Sequence, residues 1–246
     1  MFWMFTRLFY IAHCTFHIYI EYMIREATID FIFPKTCVGC GVWGSFLCKG
    51  CQERLDFVEQ ICPMCGEESL MGWTHPKCRT RHGMDGLIAI YEYQEPVARA
   101  VVDSIKYGFN RGLMGVVLNN FTFETGVNFD FLVPVPLYFY RENWRGFNQA
   151  EELGKVIGSK LMVPVENVLA RMKNTKQQAL MKTREERQKN IENAFVADCR
   201  FQKSDIKGKK ILLVDDVFTS GADMRECTKV LKKAGAEVVW GLALAH

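Results

Sequence analysis

Apolar runs and amphipathic stretches alternate along most of this chain. Residues 86–93 (GLIAIYEY), 131–136 (FLVPVP), 211–214 (ILLV) and 237–245 read as buried strands. Between them, apolar residues recur at helical spacing. Val97, Val101 and Ile105 follow Pro96, which suits a first helical position, and Gly108 supplies a stop. Ala150, Leu153, Ile157 and Leu161 trace a second face, with Asn148 as its cap and Glu151 three residues on. Met224, Cys227, Leu231 and Ala234 trace a third before Gly235. Residues 138–147 read as a polar, aromatic loop. Residues 167–170 and 194–199 read as further strands on either side of a long basic segment. Strands alternating with helices predict an α/β class with a mostly parallel sheet.

Residues 211–223 carry the densest chemistry. Asp215 and Asp216 sit where the apolar run stops, and Thr219, Ser220 and Gly221 form a turn before the last helix. In open α/β sheets, ligands bind outside the carboxyl ends of the strands. A helix start there offers free N–H groups to an anion. Carboxylates accept hydrogen bonds from sugar hydroxyls, and Gly221 allows close backbone approach. The combination suits a phosphorylated ribose.

Upstream, Cys37-x-x-Cys40, Cys48-x-x-Cys51, Cys62-x-x-Cys65 and His75-x-x-Cys78 supply eight donors in four pairs, enough for two closed tetrahedral zinc sites. Joining neighbouring pairs gives two ribbons; interleaving them gives a cross-braced module. Either is compatible with the spacing. With every position filled by protein, the metal's role is structural. Lys49, Arg54, Lys77, Arg79 and Arg81 leave a nucleic-acid-binding finger as the second reading.

Composition narrows the classes. With 49% hydrophobic residues, the 246-residue chain has material for a sizeable core, and a net charge of +3 does not demand a nucleic-acid partner. Charge is uneven, however: residues 171–210 hold twelve Lys/Arg against five Asp/Glu. A polyphosphate ligand or a solvated face accounts for that excess. Seven of the ten cysteines lie in the paired cluster, which points to metal and a reducing cytoplasm rather than secreted disulfides. Residues 1–22 are apolar and aromatic, but Arg7, His13, His17 and Glu21 interrupt them. We read them as an over-long start with Met23 as initiator; a membrane anchor or signal is the alternative.

The 211–223 segment resembles the phosphoribosyl-pyrophosphate motif of type I phosphoribosyltransferases. Asp223 departs from that pattern, which has Thr or Ser there; its carboxylate either faces the phosphate or turns away to support the helix start. Residues 134–136 (PVP), Arg141, residues 145–149 (RGFNQ), Arg171, Thr175, Gln177, Arg184, Asn190 and residues 194–195 are similar to the ComF/GntX family of phosphoribosyltransferase-like proteins. So are the four knuckles and the lead-in at Phe33, Pro34 and Cys37.

The resemblance implies an apolar extension over residues 1–28, a double zinc-ribbon module over 29–82 and a type I phosphoribosyltransferase domain over 83–246. It implies phosphoribosyl pyrophosphate with Mg²⁺ as substrate, and displacement of pyrophosphate by a nitrogen nucleophile. Asp215 and Asp216 would then hold the ribose hydroxyls. Val217, Thr219, Ser220, Gly221 and Ala222 would line the 5-phosphate turn, and Arg145 would meet the pyrophosphate. Lys106 either reaches this site or simply favours its helix end. Phe147 and Phe218 read equally as packing or base-stacking surfaces. Arg184, Arg187 and Lys189 decorate a helix or belong to a flap over the site. ComF relatives also suggest a non-catalytic alternative, a component handling single-stranded DNA or meeting DNA-uptake proteins.

Overall fold

The computed structural model describes residues 34–107, 111–119, 121–122, 125–175 and 183–246. The N-terminal extension, Phe33, the Gly108 stop and Gln177 lie outside them. Strands β1 (Gly86–Tyr91), β2 (Phe131–Pro134), β5 (Lys210–Val217) and β6 (Val238–Ala245) form one parallel sheet in the order β1-β6-β5-β2. Strands β3 (Leu169–Arg171) and β4 (Phe195–Ala197) pair antiparallel in a separate ribbon. The predicted parallel sheet is therefore present, and the two weaker strands belong beside it.

The helices are α1 (Lys49–Gln52), α2 (Pro96–Tyr107), α3 (Arg111–Leu118), α4 (Phe139–Arg145), α5 (Gln149–Leu161), α6 (Arg184–Ile191), α7 (Lys203–Ile206) and α8 (Ala222–Ala234). Side-chain alternation along β5 splits the core between the two sheet faces. Leu212 and Val214 join α2, α3 and α5, whereas Ile211 and Leu213 join α6, α7 and α8. Leu212 and Val214 are fully buried, worth about 1.5–3 kcal/mol apiece. Asn148 caps α5 as expected, its Oδ1 accepting from the Ala150 amide at 3.0 Å, while its Nδ2 donates to the Val135 carbonyl.

The cysteine-rich segment shares this core. Cys37, Leu47 and Cys51 belong to the same buried cluster as Val97, Val101 and Trp240. Gln60 covers the open edge of β1: its Nε2 donates to the Ala89 carbonyl, and its Oε1 accepts from the Ala89 amide. A side-chain amide thus mimics a neighbouring strand, which is one way proteins protect an exposed edge.

One helix overturns an expectation. Where the sequence predicts a loop over 138–147, residues 139–145 form α4, capped by Gly146 in the left-handed conformation (φ 78°), whose N–H donates to the Glu142 carbonyl. None of its residues is buried. Its aromatic residues Phe139, Tyr140 and Trp144 face solvent, so the helix packs no apolar stripe against the core.

Candidate functional site

The carboxyl ends of β2 and β5 converge with the start of α8. Hydrogen-bonded pairing extends β5 past the apolar run, with Asp215 opposite Ala243 and Val217 opposite Ala245. The strand does not stop at Val214. Period-two alternation then directs the Asp215 and Asp216 side chains to opposite sides of the strand.

Asp216 shares the face of Leu212 and Val214 and meets α2, where Lys106 Nζ lies 3.5 Å from its Oδ1. The Asp216 side chain is 7% exposed, and among the described residues its buried Oδ2 has no hydrogen-bond partner. Burial works against the Lys106 charge, but the Asp216 and Asp215 carboxylates outweigh it and hold the ammonium above its ordinary range. Lys106 therefore reaches the site. Asp215 Oδ1 accepts from the Asp216 amide at 2.8 Å. Burial first, then the neighbouring Asp216 and Asp223 charges, push the Asp215 carboxyl well up.

Beyond Val217, Phe218 is buried and its amide donates to the Ala245 carbonyl; Thr219 is exposed and Ser220 half-buried. Gly221 caps α8 at φ 68°. A Cβ on Gly221 would stand 2.2 Å from the Phe218 ring, so both conformation and space require glycine. First-turn amides of a helix lack intrahelical partners and present donors outward. Thr219 and Ser220 lead into this helix start, and the Ala222 amide donates to Ser220 Oγ at 3.4 Å. Phe147 and Phe218 are both buried, which makes them packing residues.

Asp223 lies in the first turn of α8 and is paired at 3.1 Å with Arg171 of β3, whose side chain is 5% exposed. Burial raises the Asp223 carboxyl, with Arg171 and Arg141 pulling it back. Arg171 lies over the Phe195 ring and donates to Thr175 Oγ1; Arg141 donates to the Thr175 carbonyl. Arg145, at the end of α4, stacks over the Tyr107 ring at 5.3 Å and donates to Gln149 Oε1 at 3.0 Å. Burial, Arg171 and Arg145 lower Arg141. The three guanidinium groups are near enough to repel, a positive concentration beside the turn. Sequence reasoning had placed Arg145 here but noted Arg141 and Arg171 only within a family pattern. Their spacing carries no local signal, because helix α4 and the β3–β4 ribbon bring them together.

The metal donors resolve into two groups. Cys37, Cys40, Cys48 and Cys51 form one, and Cys62, Cys65, His75 and Cys78 the other, with donor atoms all within 4.8 Å of one another. Neighbouring pairs join, which selects ribbons over the cross-braced arrangement. In the first group, burial disfavours the Cys37 thiolate, but the amides of Cys48, Cys40 and Gly39 overcome it and hold the thiol at about 6. Burial and the adjacent thiols push Cys51 up to about 12. Four crowded sulfurs resist ionising together, and a dication relieves that conflict. His75 places Nδ1 3.4 Å from Cys65 Sγ and Nε2 3.0 Å from the Glu68 carbonyl. With Nε2–H donating to Glu68, the Nδ1 lone pair faces the other ligands. The residues fit structural zinc.

Residues 148–245 match the family model of the phosphoribosyl transferase domain, and residues 28–80 match that of the double zinc ribbon domain. The chain is 31% identical over 213 residues to competence protein F of Haemophilus influenzae, covering 81% of this chain and 90% of that protein. It is 26% identical over 204 residues to competence protein ComFC of Bacillus subtilis (77% and 79%). It is 25% identical over 212 residues to DNA utilization protein YhgH of Escherichia coli (81% and 88%). Among solved structures, the glutamine phosphoribosylpyrophosphate amidotransferase of B. subtilis aligns with TM-score 0.33 and 17% identity, over 75% of this chain and 31% of that one. Among the described residues, no helix is long and apolar enough to cross a membrane.

Proposed function

The chain belongs to the ComF family of phosphoribosyltransferase-like competence proteins, and we propose that it binds phosphoribosyl pyrophosphate with Mg²⁺ and transfers the phosphoribosyl group to a nitrogen acceptor in the cytoplasm. The observation that carries this reading is the turn at Gly221, a forced glycine at the start of α8 that follows a strand end bearing Asp215 and Asp216. In the transfer, an acceptor nitrogen forms a bond to the anomeric carbon. The carbon–oxygen bond to pyrophosphate breaks, its electron pair leaves with the diphosphate, and the acceptor loses a proton.

Each residue has a part. The amides of residues 219–222 hold the 5-phosphate, and Asp215 and Asp216 accept from the ribose hydroxyls. Arg145, with Arg141 behind it, meets the charge that develops on the leaving group. Mg²⁺ neutralises the diphosphate when bound. Among the described residues, the groups able to surround a metal are the two ribbon clusters. The cation would thus arrive largely on substrate oxygens and water, as Mg²⁺ commonly does.

Gly221→Ala tests the turn. The left-handed backbone and the Phe218 contact are expected to cost about 1–3 kcal/mol of stability. Phosphoribosyl pyrophosphate affinity should fall with it, read by thermal melting and titration. Unchanged affinity in a folded variant would contradict the cradle. Turnover is tested by pyrophosphate release from phosphoribosyl pyrophosphate across a panel of nitrogen heterocycles. Release that requires one acceptor supports the transferase; release with none, despite binding, contradicts it.

One observation favours the second reading, a DNA-handling component. Helix α4 exposes Phe139, Tyr140 and Trp144 at 63%, 67% and 78%, beside Arg145. Exposed aromatic rings near cations stack single-stranded bases. On that reading, salt-dependent oligonucleotide binding survives Asp215→Ala/Asp216→Ala and falls about tenfold or more in Tyr140→Ala/Trp144→Ala. Fluorescence anisotropy measures both; equal binding by all variants would remove α4 from the interface.

A further inference from the structure

Arg225 joins the second metal cluster to the phosphate turn. Its Nη1 donates to the Pro63 carbonyl at 2.9 Å, and its Nη2 donates to the Ser220 carbonyl. Pro63 lies inside the Cys62-Pro63-Met64-Cys65 knuckle, between two donors of that cluster. Ser220 lies inside the turn that caps α8. The same guanidinium rests against the turn's glycine, since a Cβ on Gly221 would stand 3.0 Å from its Nη1. Around this bridge, Ile61, Pro63 and Gly66 of the ribbon face Phe218, Thr219 and Ser220 across a cavity of about 250 Å³. The two segments are therefore held apart over part of their contact, and Arg225 spans them.

We infer that Arg225 is a positioning residue that makes the geometry of the phosphate turn depend on the metal-closed second ribbon. This rests on the proposed phosphoribosyl site and adds a role for the ribbon there. Carbonyls inside a knuckle keep their direction only while the ligands on either side are fixed. With metal bound, the Pro63 carbonyl is a rigid anchor. Arg225 then fixes the Ser220 carbonyl, and with it the orientation of the amides that follow. Without metal the anchor moves, the guanidinium loses one partner, and the turn loosens. A double hydrogen bond from a charged donor suits this task, because a planar fork holds two acceptors at a fixed angle. A lysine at the position reaches one carbonyl at a time.

The test uses the full, zinc-loaded chain and two readouts. Amide hydrogen exchange over residues 219–222 reports the turn without any ligand. Titration with phosphoribosyl pyrophosphate and Mg²⁺ reports the site. Arg225→Ala is expected to speed exchange at the turn and weaken binding, each about tenfold, while two zinc ions per chain are retained. Arg225→Lys should fall between it and the parent. His75→Ala, which opens the second cluster away from the knuckle, should speed exchange in the parent and add nothing further in the Arg225→Ala chain. Parental exchange in Arg225→Ala, or additive effects of the two changes, overturns the relay. Exchange that follows the expected pattern in a chain that never binds the ligand upholds the relay and removes the transferase reading instead.

Discussion

Alanine at both Asp215 and Asp216 is expected to reduce phosphoribosyl pyrophosphate binding at least about a hundredfold, because Asp216 supplies charge-assisted hydrogen bonds to the ribose and Asp215 a further acceptor. The single asparagine changes separate the two residues. Asp215 carries a carboxyl pushed up by burial and by Asp216 and Asp223. Its folded state favours the proton more than the unfolded chain does. The penalty is thus absent below about pH 4, the ordinary carboxylate value, and grows as pH rises toward the folded value. Asp215→Asn removes that penalty and should raise the ligand-free melting temperature at pH 7, with the gain vanishing near pH 4.

Asp216→Asn acts in the other direction. It leaves Lys106, with 20% of its side chain exposed, without its carboxylate partner. The expected loss is about 3 kcal/mol, or roughly 6–12 °C. Both variants should bind ligand poorly. Melting curves across pH 4–8 check the pattern, and two shifts of the same sign would contradict the assignment of faces.

Metal removal is the second large effect. Structural zinc in small modules is worth about 10 kcal/mol or more of folding free energy. Here Cys37, Leu47 and Cys51 share the buried cluster with Val97, Val101 and Trp240. Stripping the first cluster therefore opens the main core as well as the ribbon. Elemental analysis should find two zinc ions per chain. Chelation should lower a single calorimetric transition for the whole chain. Two transitions, with the upper one unmoved by chelator, would show that the ribbon is an independent appendage.

The sheet was legible because its strands are buried on both faces and read as apolar runs; β1, β2, β5 and β6 all carry that mark. Helices α2, α5 and α8 were legible from their single apolar faces. What failed is equally physical. Helix α4 is seven residues long with mixed charged and exposed aromatic positions, too short a run for periodicity to distinguish from a loop. Strand β5 continues through Asp215 and Asp216 because backbone pairing with β6 does not depend on side-chain polarity. The partners of the acids were hidden for another reason. Lys106 lies 110 residues from Asp216, and Arg141 and Arg171 lie 82 and 52 residues from Asp223, so only tertiary packing brings these charges together. Donor identity in the ribbons was legible from spacing, whereas the pairing of knuckles needed three-dimensional proximity.

The central claim is that the turn after β5 grips a phosphorylated ribose. Calorimetric titration of the zinc-loaded chain with phosphoribosyl pyrophosphate and Mg²⁺ tests it most directly, with Asp215→Ala/Asp216→Ala as the comparison. The account predicts one saturable site per chain that the double substitution removes. Absence of binding in the parent chain, or equal binding by both, would contradict it.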